Sequence, residues 1–248
     1  MNAQCLYAVG DIHGRFDLLK AALRFIEQDR ESKGSNGAVI FLGDIVDRGP
    51  NSREALDLVA TTLDRLPPSK LIRGNHDQWF LDFLAGGEPH LNWLLSGGME
   101  TLGSYADLEC SFEQIRDRIN SEYPHHRAIL QNSSQLEIWG RYCLVHAGID
   151  PLRPLNAQTW DDCLWIRDRF LDHVGPLPYM VVHGHTPTAF GRPVMTENRI
   201  SLDTGAFKTG LLCFAVLPAD DDQKEQFYAA ISATDVIPIE PVQLSRDS

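Results

Sequence analysis

Apolar positions along the chain follow two alternating rhythms. Gln4 to Val9 and Ala38 to Leu42 are short apolar runs of strand length, whereas Phe16, Leu19, Leu23 and Ile26 recur at helical spacing. Leu56, Val59, Leu63 and Leu66 mark a second amphipathic helix. Asn51-Ser52-Arg53-Glu54 ahead of it reads as an N-cap with an acidic residue three positions on. Pro67-Pro68 stops that helix, and Lys70 to Ile72 is a third strand. This βαβαβ order predicts an α/β fold built on a mostly parallel sheet, with short loops at the strand C-termini. Residues 78–133 differ: they are aromatic, punctuated by glycine and mainly helical, with Phe112, Ile115 and Ile119 in register. No linker flanks them, so they are expected to form a helical insertion or cap within a single domain spanning residues 1–248. From Leu136 strands resume. Leu136–Trp139 and Tyr142–Val145 flank Gly140-Arg141 as a hairpin, and Met180–Val182, Ile200–Leu202, Leu211–Leu217 and Gln226–Ser232 follow. A second sheet packed on the first is the economical arrangement. The Arg246-Asp247-Ser248 tail is expected to fray.

Composition narrows the function classes. Lys+Arg 22 against Asp+Glu 34 gives a formal charge of −12, which argues against a nucleic-acid partner held by charge. The apolar runs fall far short of the roughly 18 residues of a membrane span, so no membrane partner is expected. Met1-Asn2-Ala3-Gln4-Cys5 carries no basic leader. Five cysteines, odd in number and widely spaced, form no C-x-x-C pair; Cys5, Cys143 and Cys213 lie in strand-like runs. They read as buried thiols in a reducing cytoplasm.

The chemistry concentrates in five segments, each at the end of an expected strand. They are Gly10-Asp11-Ile12-His13-Gly14, Gly43-Asp44-Ile45-Val46-Asp47-Arg48-Gly49, Gly74-Asn75-His76-Asp77, Val145-His146-Ala147-Gly148 and Gly184-His185-Thr186. Each alone is weak, since a Gly-Asp after a strand is commonly a turn. Convergence changes the weight, because strand C-termini of an open α/β sheet meet in one crevice. So many polar groups in one crevice are costly unless something binds them. The set fits two metal ions. Asp11, His13 and Asp44 suit one; Asp44, Asn75, His146 and His185 suit the other, with Asp44 shared. Two dications leave a surplus of positive charge that suits an incoming phosphate. Mixed nitrogen and oxygen donors favour Mn first, with Fe or Zn as alternatives.

These five segments, in this order, resemble the signature of the PPP-type metallophosphatases of the calcineurin-like phosphoesterase superfamily, and most of all the bacterial and bacteriophage-lambda serine/threonine protein phosphatases. Trp93-Leu94-Leu95-Ser96-Gly97-Gly98, Trp165-Ile166-Arg167 and Asp203-Thr204-Gly205-Ala206 also have counterparts there, so the resemblance covers roughly residues 5–217. It implies an α/β/β/α sandwich of two mixed sheets flanked by helices, with a dinuclear centre at its edge and the ligand division just given. It further implies that Arg48 and Arg167 bind phosphate and that His76 is a general acid oriented by Asp47. Where the eukaryotic members carry Glu, this chain has Asp77.

Other titratable residues read as structural. His183, inside an apolar run, is expected to be buried and supporting, and Asp203 a strand-end residue rather than a ligand. His125-His126 is expected to be an exposed pair, with His90 and His173 on the surface. The reading is therefore a metal-dependent phosphatase of phosphomonoesters, foremost a bacterial-type serine/threonine protein phosphatase with phosphotyrosine as an alternative, acting on a phosphorylated protein or small phosphoester. A bridging hydroxide attacks phosphorus in line without a phospho-enzyme. The alternative substrate is a dinucleoside polyphosphate, and a remote alternative is a non-catalytic binding module on the same scaffold.

Overall fold

A computed structural model of the protein describes residues 5–244. Met1 to Gln4 and the Arg246-Asp247-Ser248 tail, on which two of the sequence readings fall, lie outside them. In chain order the strands are β1 (Cys5–Val9), β2 (Val39–Phe41), β3 (Lys70–Leu71), β4 (Leu136–Trp139), β5 (Tyr142–Val145), β6 (Met180–His183), β7 (Val194–Met195), β8 (Arg199–Ser201), β9 (Leu212–Pro218), β10 (Gln226–Ala230), β11 (Val236–Pro238) and β12 (Val242–Gln243). The helices are α1 (Phe16–Lys33), α2 (Ser52–Arg65), α3 (Asn75–Leu84), α4 (Leu91–Trp93), α5 (Met99–Tyr105), α6 (Phe112–Glu122), α7 (Pro124–Gln131), α8 (Trp160–Trp165), α9 (Asp168–Leu171) and α10 (Ala206–Thr209).

Among the described residues the strands form two six-stranded mixed sheets, ordered β11-β10-β9-β1-β2-β3 and β12-β7-β8-β6-β5-β4. Parallel β1, β2 and β3 carry the first third of the chain, as the βαβαβ pattern predicts. In the second sheet β5, β6 and β8 run parallel beside the β4–β5 hairpin. The strands after Leu136 divide between the two sheets: β9, β10 and β11 return to the first, with β9 antiparallel to β1 from Cys5↔Pro218 to Val9↔Phe214. The free edge of β1 can only be covered from the far end of the chain, and local hydrophobicity carries no information about that partner.

Strand alternation sorts side chains into three cores. Tyr7, Val9, Val39, Phe41, Phe214 and Val216 face α1, α2 and α3. Leu6, Ala8, Ile40, Leu42, Leu144, Val182, Ala215 and Leu217 meet between the sheets. Cys143, Val145 and Val181 pack outward against Cys163, Ile166 and Phe170 of the α8–α9 region. The result is an α/β/β/α sandwich. Cys5, Cys143, Cys163 and Cys213 are buried and Cys110 is exposed, all as free thiols.

Two local expectations are corrected. Asn51 occupies the N-cap position of α2, yet its side chain makes no capping bond. Its backbone N–H is drawn instead to Gly14 O at 3.1 Å, and Glu54 accepts from Arg53. The His125-His126 pair is also not uniformly exposed. His126 is fully buried where α7 packs on α2 and α3, with Nδ1 hydrogen-bonded to the Tyr105 hydroxyl at 2.6 Å, while His125 remains half-exposed.

The layered core makes a prediction about stability. Leu144→Ala, between the sheets, should cost about 2–5 kcal/mol in denaturant unfolding. Ile138→Ala, half-exposed on edge strand β4, should stay within about 0.5 kcal/mol of wild type.

Candidate active site

The C-termini of β1, β2, β3, β5 and β6 open at one edge of the sandwich and deliver all five polar segments there. The approach is close enough to exclude side chains. A Cβ at Gly74 would lie 2.2 Å from both the backbone N and Oδ1 of Asp44, and one at Gly184 would lie 1.9 Å from Asp11 Oδ1. Among the described residues, the non-glycine positions with positive φ are His13 (47°), Asp44 (51°), Asp47 (74°), Arg48 (67°) and His185 (65°). Each lies in one of the five segments. L residues avoid this region, so the surrounding structure must hold them there. The backbone C=O of Asp44 does part of this, accepting from Ile12 N and His13 N. Asp77 does another part. Its Oδ1 accepts from Ile45 N and its Oδ2 from Gly74 N, both at 3.0 Å, tying the loops after β2 and β3 together.

Within this frame two groups of metal-ligating atoms meet at Asp44. On one side are His13 and His76; on the other are His146 and His185. Asp44 Oδ2 lies 3.4 Å from His13 Nε2, and Oδ1 lies 3.5 Å from His146 Nε2. The Asn75 side-chain oxygen is 2.9 Å from both His146 Nε2 and His185 Nδ1. His13 Nδ1 and His146 Nδ1 each meet a backbone carbonyl, of Val46 and Leu42, at 2.8 Å. Those contacts assign the N–H to Nδ1 and leave the Nε2 lone pair facing inward. Asp11 falls outside both three-residue groups. Its Oδ2 accepts from His185 N at 2.9 Å, while its buried Oδ1 has no partner. His185 Nε2 is likewise buried and unpartnered.

Electrostatics shows what this donor set suits. Burial raises Asp11 well above the ordinary carboxylate range, with Asp203 and Asp44 adding to the rise, and pushes Asp44, Asp77 and Asp203 each up to about 6. Burial likewise lowers His13 and His185 and brings His146 down to about 4. Carboxylates, neutral imidazole lone pairs and an amide oxygen thus face one another with orphaned acceptors between them. Divalent cations fit such a donor set. Asp11, His13, Asp44, Asn75, His146 and His185 are the residues that can hold them.

His76 stands apart because its two nitrogens meet an arginine and a buried carboxylate. Arg48 Nη2 donates to Nε2 at 3.0 Å, and Nδ1 meets Asp47 Oδ2 at 2.6 Å. Asp47 in turn accepts from Trp93 Nε1 and from Thr101 Oγ1, and Ser52 Oγ and Thr101 Oγ1 hold its backbone N–H. Burial nevertheless pushes Asp47 up to about 8 and lowers His76. Sequence reasoning placed Trp93 in a motif without a role and did not find Ser52 or Thr101, since a hydroxyl inside a helical pattern has no local signal. Arg48 also lies over the Phe207 ring at 4.8 Å. Arg167, exposed between α8 and α9, donates to Thr186 Oγ1 at 3.3 Å. Both guanidinium charges are felt by Asp203, which is buried against Asp11 at the end of β8. Trp79 packs edge-on against His76 and tilted against Trp165, which in turn meets His185 edge-on, forming an aromatic rim. His183 is buried with both nitrogens engaged, by Gly184 O at 3.0 Å and Ser201 Oγ at 2.7 Å.

Comparison with known proteins agrees with this geometry. Residues 6–209 match the family model described as calcineurin-like phosphoesterase. The chain is 35% identical to serine/threonine-protein phosphatase 1 of Salmonella typhimurium, over 86% of this chain and 92% of that protein. It is 26% identical to an asymmetrical bis(5′-nucleosyl)-tetraphosphatase of Anoxybacillus flavithermus, over 82% and 86%. A solved cold-active protein tyrosine phosphatase has the same fold, with a TM-score of 0.61 at 15% identity, covering 97% of this chain and 80% of that one.

The two histidines on either side of Gly184 should separate experimentally. His185→Ala should lower the bound metal per chain, measured by mass spectrometry of the metals. His183→Ala should leave metal content intact and lower thermal stability, because it removes two satisfied buried contacts. The opposite pattern would exclude His185 as a ligand.

Proposed function

The chain belongs to the calcineurin-like phosphoesterase family, and from the geometry of its site we propose that it is a phosphoprotein phosphatase of the bacterial serine/threonine type. The observation that carries this reading is the buried pair of His76 and Asp47, braced by Trp93 and Thr101. An alkoxide leaving from phosphoserine is a strong base and needs a proton in the transition state. A phosphate leaving from a polyphosphate anhydride does not. The similarity to the Salmonella enzyme over almost its whole length supports the same substrate class. We assign the chain a single domain, with the helices between β3 and β4 as its cap.

In this reading Asp11, His13 and Asp44 hold one divalent ion and Asp44, Asn75, His146 and His185 the other, with manganese the metal we assign. When bound, the ions polarise the phosphoryl oxygens and acidify a water molecule. The protein's own residues do the rest. Arg48 and Arg167 approach from two sides and bind phosphoryl oxygens, where fixed positive charge is most effective. When Arg48 turns from His76 to the phosphate it frees Nε2, which can then carry the proton. Asp47 keeps Nδ1–H aligned and stabilises the imidazolium, so that Nε2 delivers its proton to the leaving oxygen. Five free thiols, four of them buried, suit a reducing cytoplasm.

A second reading, hydrolysis of a dinucleoside polyphosphate, is favoured by the aromatic rim of Trp79 and Trp165, on which a base could stack. A panel of phosphoserine, phosphothreonine and phosphotyrosine peptides against a dinucleoside tetraphosphate, with Mn²⁺ added, separates the two. The proposal expects the peptides to be turned over faster, and the reverse ranking overturns it.

Removing the metals with a chelator should abolish turnover, and Mn²⁺ should restore it. Full activity in metal-free enzyme would refute the whole scheme. His76→Asn should lose on the order of 10²–10⁴-fold on a phosphoserine peptide, the usual worth of general acid catalysis. On a nitrophenyl phosphate, whose leaving group has a pKa of roughly 7, the loss should be visibly smaller. Equal losses on both substrates, with both metals bound, would make His76 a phosphate clamp instead.

A further inference from the structure

Away from that edge, α2 and α7 bring a third set of metal-ligating side chains to one point. We propose that Asp57, His125 and His126 form an additional cation site for a borderline transition-metal ion, with Zn²⁺ as its probe. The observation is convergence. Asp57 Oδ1 lies 2.8 Å from His125 Nε2 and 2.9 Å from His126 Nε2, and the three ligand atoms all lie within 4.8 Å of one another. Consecutive residues on a helix point about 100° apart, yet these two imidazoles turn their Nε2 atoms to the same oxygen, with ring centroids 4.2 Å apart. A hydrogen-bonded clamp between α2 and α7 would need only one of them.

The supporting contacts resemble those of a ligated histidine. His126 is fully buried, and its other nitrogen, Nδ1, is fixed at 2.6 Å by the Tyr105 hydroxyl. An outer partner of this kind sets the ring orientation of a metal-bound imidazole. Two imidazoles and one carboxylate suit Zn²⁺ or a neighbouring transition ion far better than Ca²⁺ or Mg²⁺. Bonds of about 2.0–2.2 Å in a tetrahedral set put donor atoms roughly 3.3 Å apart. The contacts therefore need to open by about half an ångström, which the half-exposed Asp57 and His125 side chains can do. Solvent reaches the point because the Asp57 and His125 side chains are themselves half-exposed, and Asp57 also lines a depression of about 330 Å³ with Phe16, Glu54, Leu58 and Thr61. Water would fill the remaining coordination position.

The position gives the site a consequence. A bound ion fastens α7 to α2 and, through Tyr105, to α5. That same helix carries Thr101, which holds Asp47. The inference does not rest on the proposed activity, since none of its ligands belongs to the catalytic edge.

The test is a metal count. Wild type, His125→Ala and Asp57→Asn are dialysed to equilibrium against Zn²⁺, and total metal per chain is measured by mass spectrometry, with thermal unfolding recorded in parallel. Wild type should hold one equivalent more than either variant and should show a larger zinc-dependent rise in Tm than both. Asp44→Asn, which disturbs the catalytic edge, should lose metal there, and adding His125→Ala to it should still remove one further equivalent and lower the zinc-dependent rise in Tm. Equal metal content in wild type, His125→Ala and Asp57→Asn would reduce the cluster to a hydrogen-bonded clamp and overturn the proposal, even if the variants were less stable.

Discussion

The protein is organised around the burial of charge that it cannot neutralise internally. Asp11, Asp44 and Asp203 sit with His13, His146 and His185 at the edge of an apolar sandwich, almost out of reach of water. Taking a carboxylate out of water is expensive, and like charges close together make it more so. Here desolvation drives the carboxyl groups up and the imidazoles down, each toward its neutral form, and the opposing pull of Arg48 on the carboxylates does not reverse it. The three apolar cores supply the stability against which this unfavourable cluster is maintained. They also supply the rigidity that keeps its lone pairs facing inward rather than relaxing outward to solvent.

Rigidity at this edge is built from the backbone inward. Strained φ angles at His13, Asp44, Asp47, Arg48 and His185 persist because neighbouring loops interlock. Asp77 illustrates the economy of the arrangement. Its two oxygens bind two backbone N–H groups on different loops, so a single side chain sets the spacing between the segment bearing Asp44 and the segment bearing Asn75 and His76. The Asp47 network works in the same way at one remove. Trp93, Thr101 and Ser52 come from the helices between β3 and β4 and from the start of α2, so the geometry of one imidazole depends on helices outside both sheets.

Much of this was legible in the sequence, and the reason is geometric. Each polar segment is contiguous and follows its strand directly, so strand identification alone brings Asp11, Asp44, Asn75, His146 and His185 to a common edge. What was illegible depends on partners distant in sequence. The β9 run reads as a strand, but nothing in Leu212–Pro218 says that it pairs with β1 rather than β8. Strands β7, β11 and β12 have two or three residues each and, unlike the equally short β2, β3 and β8, are followed by no polar motif that marks a strand end. His126 looked like a surface residue because Pro124-His125-His126 has a polar composition, and only the docking of α7 on α2 and α3 buries it. Asn51 has the residue type of a helix cap, but the Gly14 loop competes for its backbone and wins.

The pairing of β1 with β9 also determines when the molecule can become whole. Val9 waits for Phe214, about 200 residues later, and at roughly 5–20 residues per second that separation is on the order of 10–40 s of synthesis. Through that interval β1 can pair with β2 on one side, but its other edge carries unpaired N–H and C=O groups and an apolar sequence. Exposed edges of this kind recruit foreign strands. Closing a loop that long is also entropically slow compared with forming the local βα units. Half of the first sheet can therefore form early, and its open edge is closed only once β9 has left the ribosome.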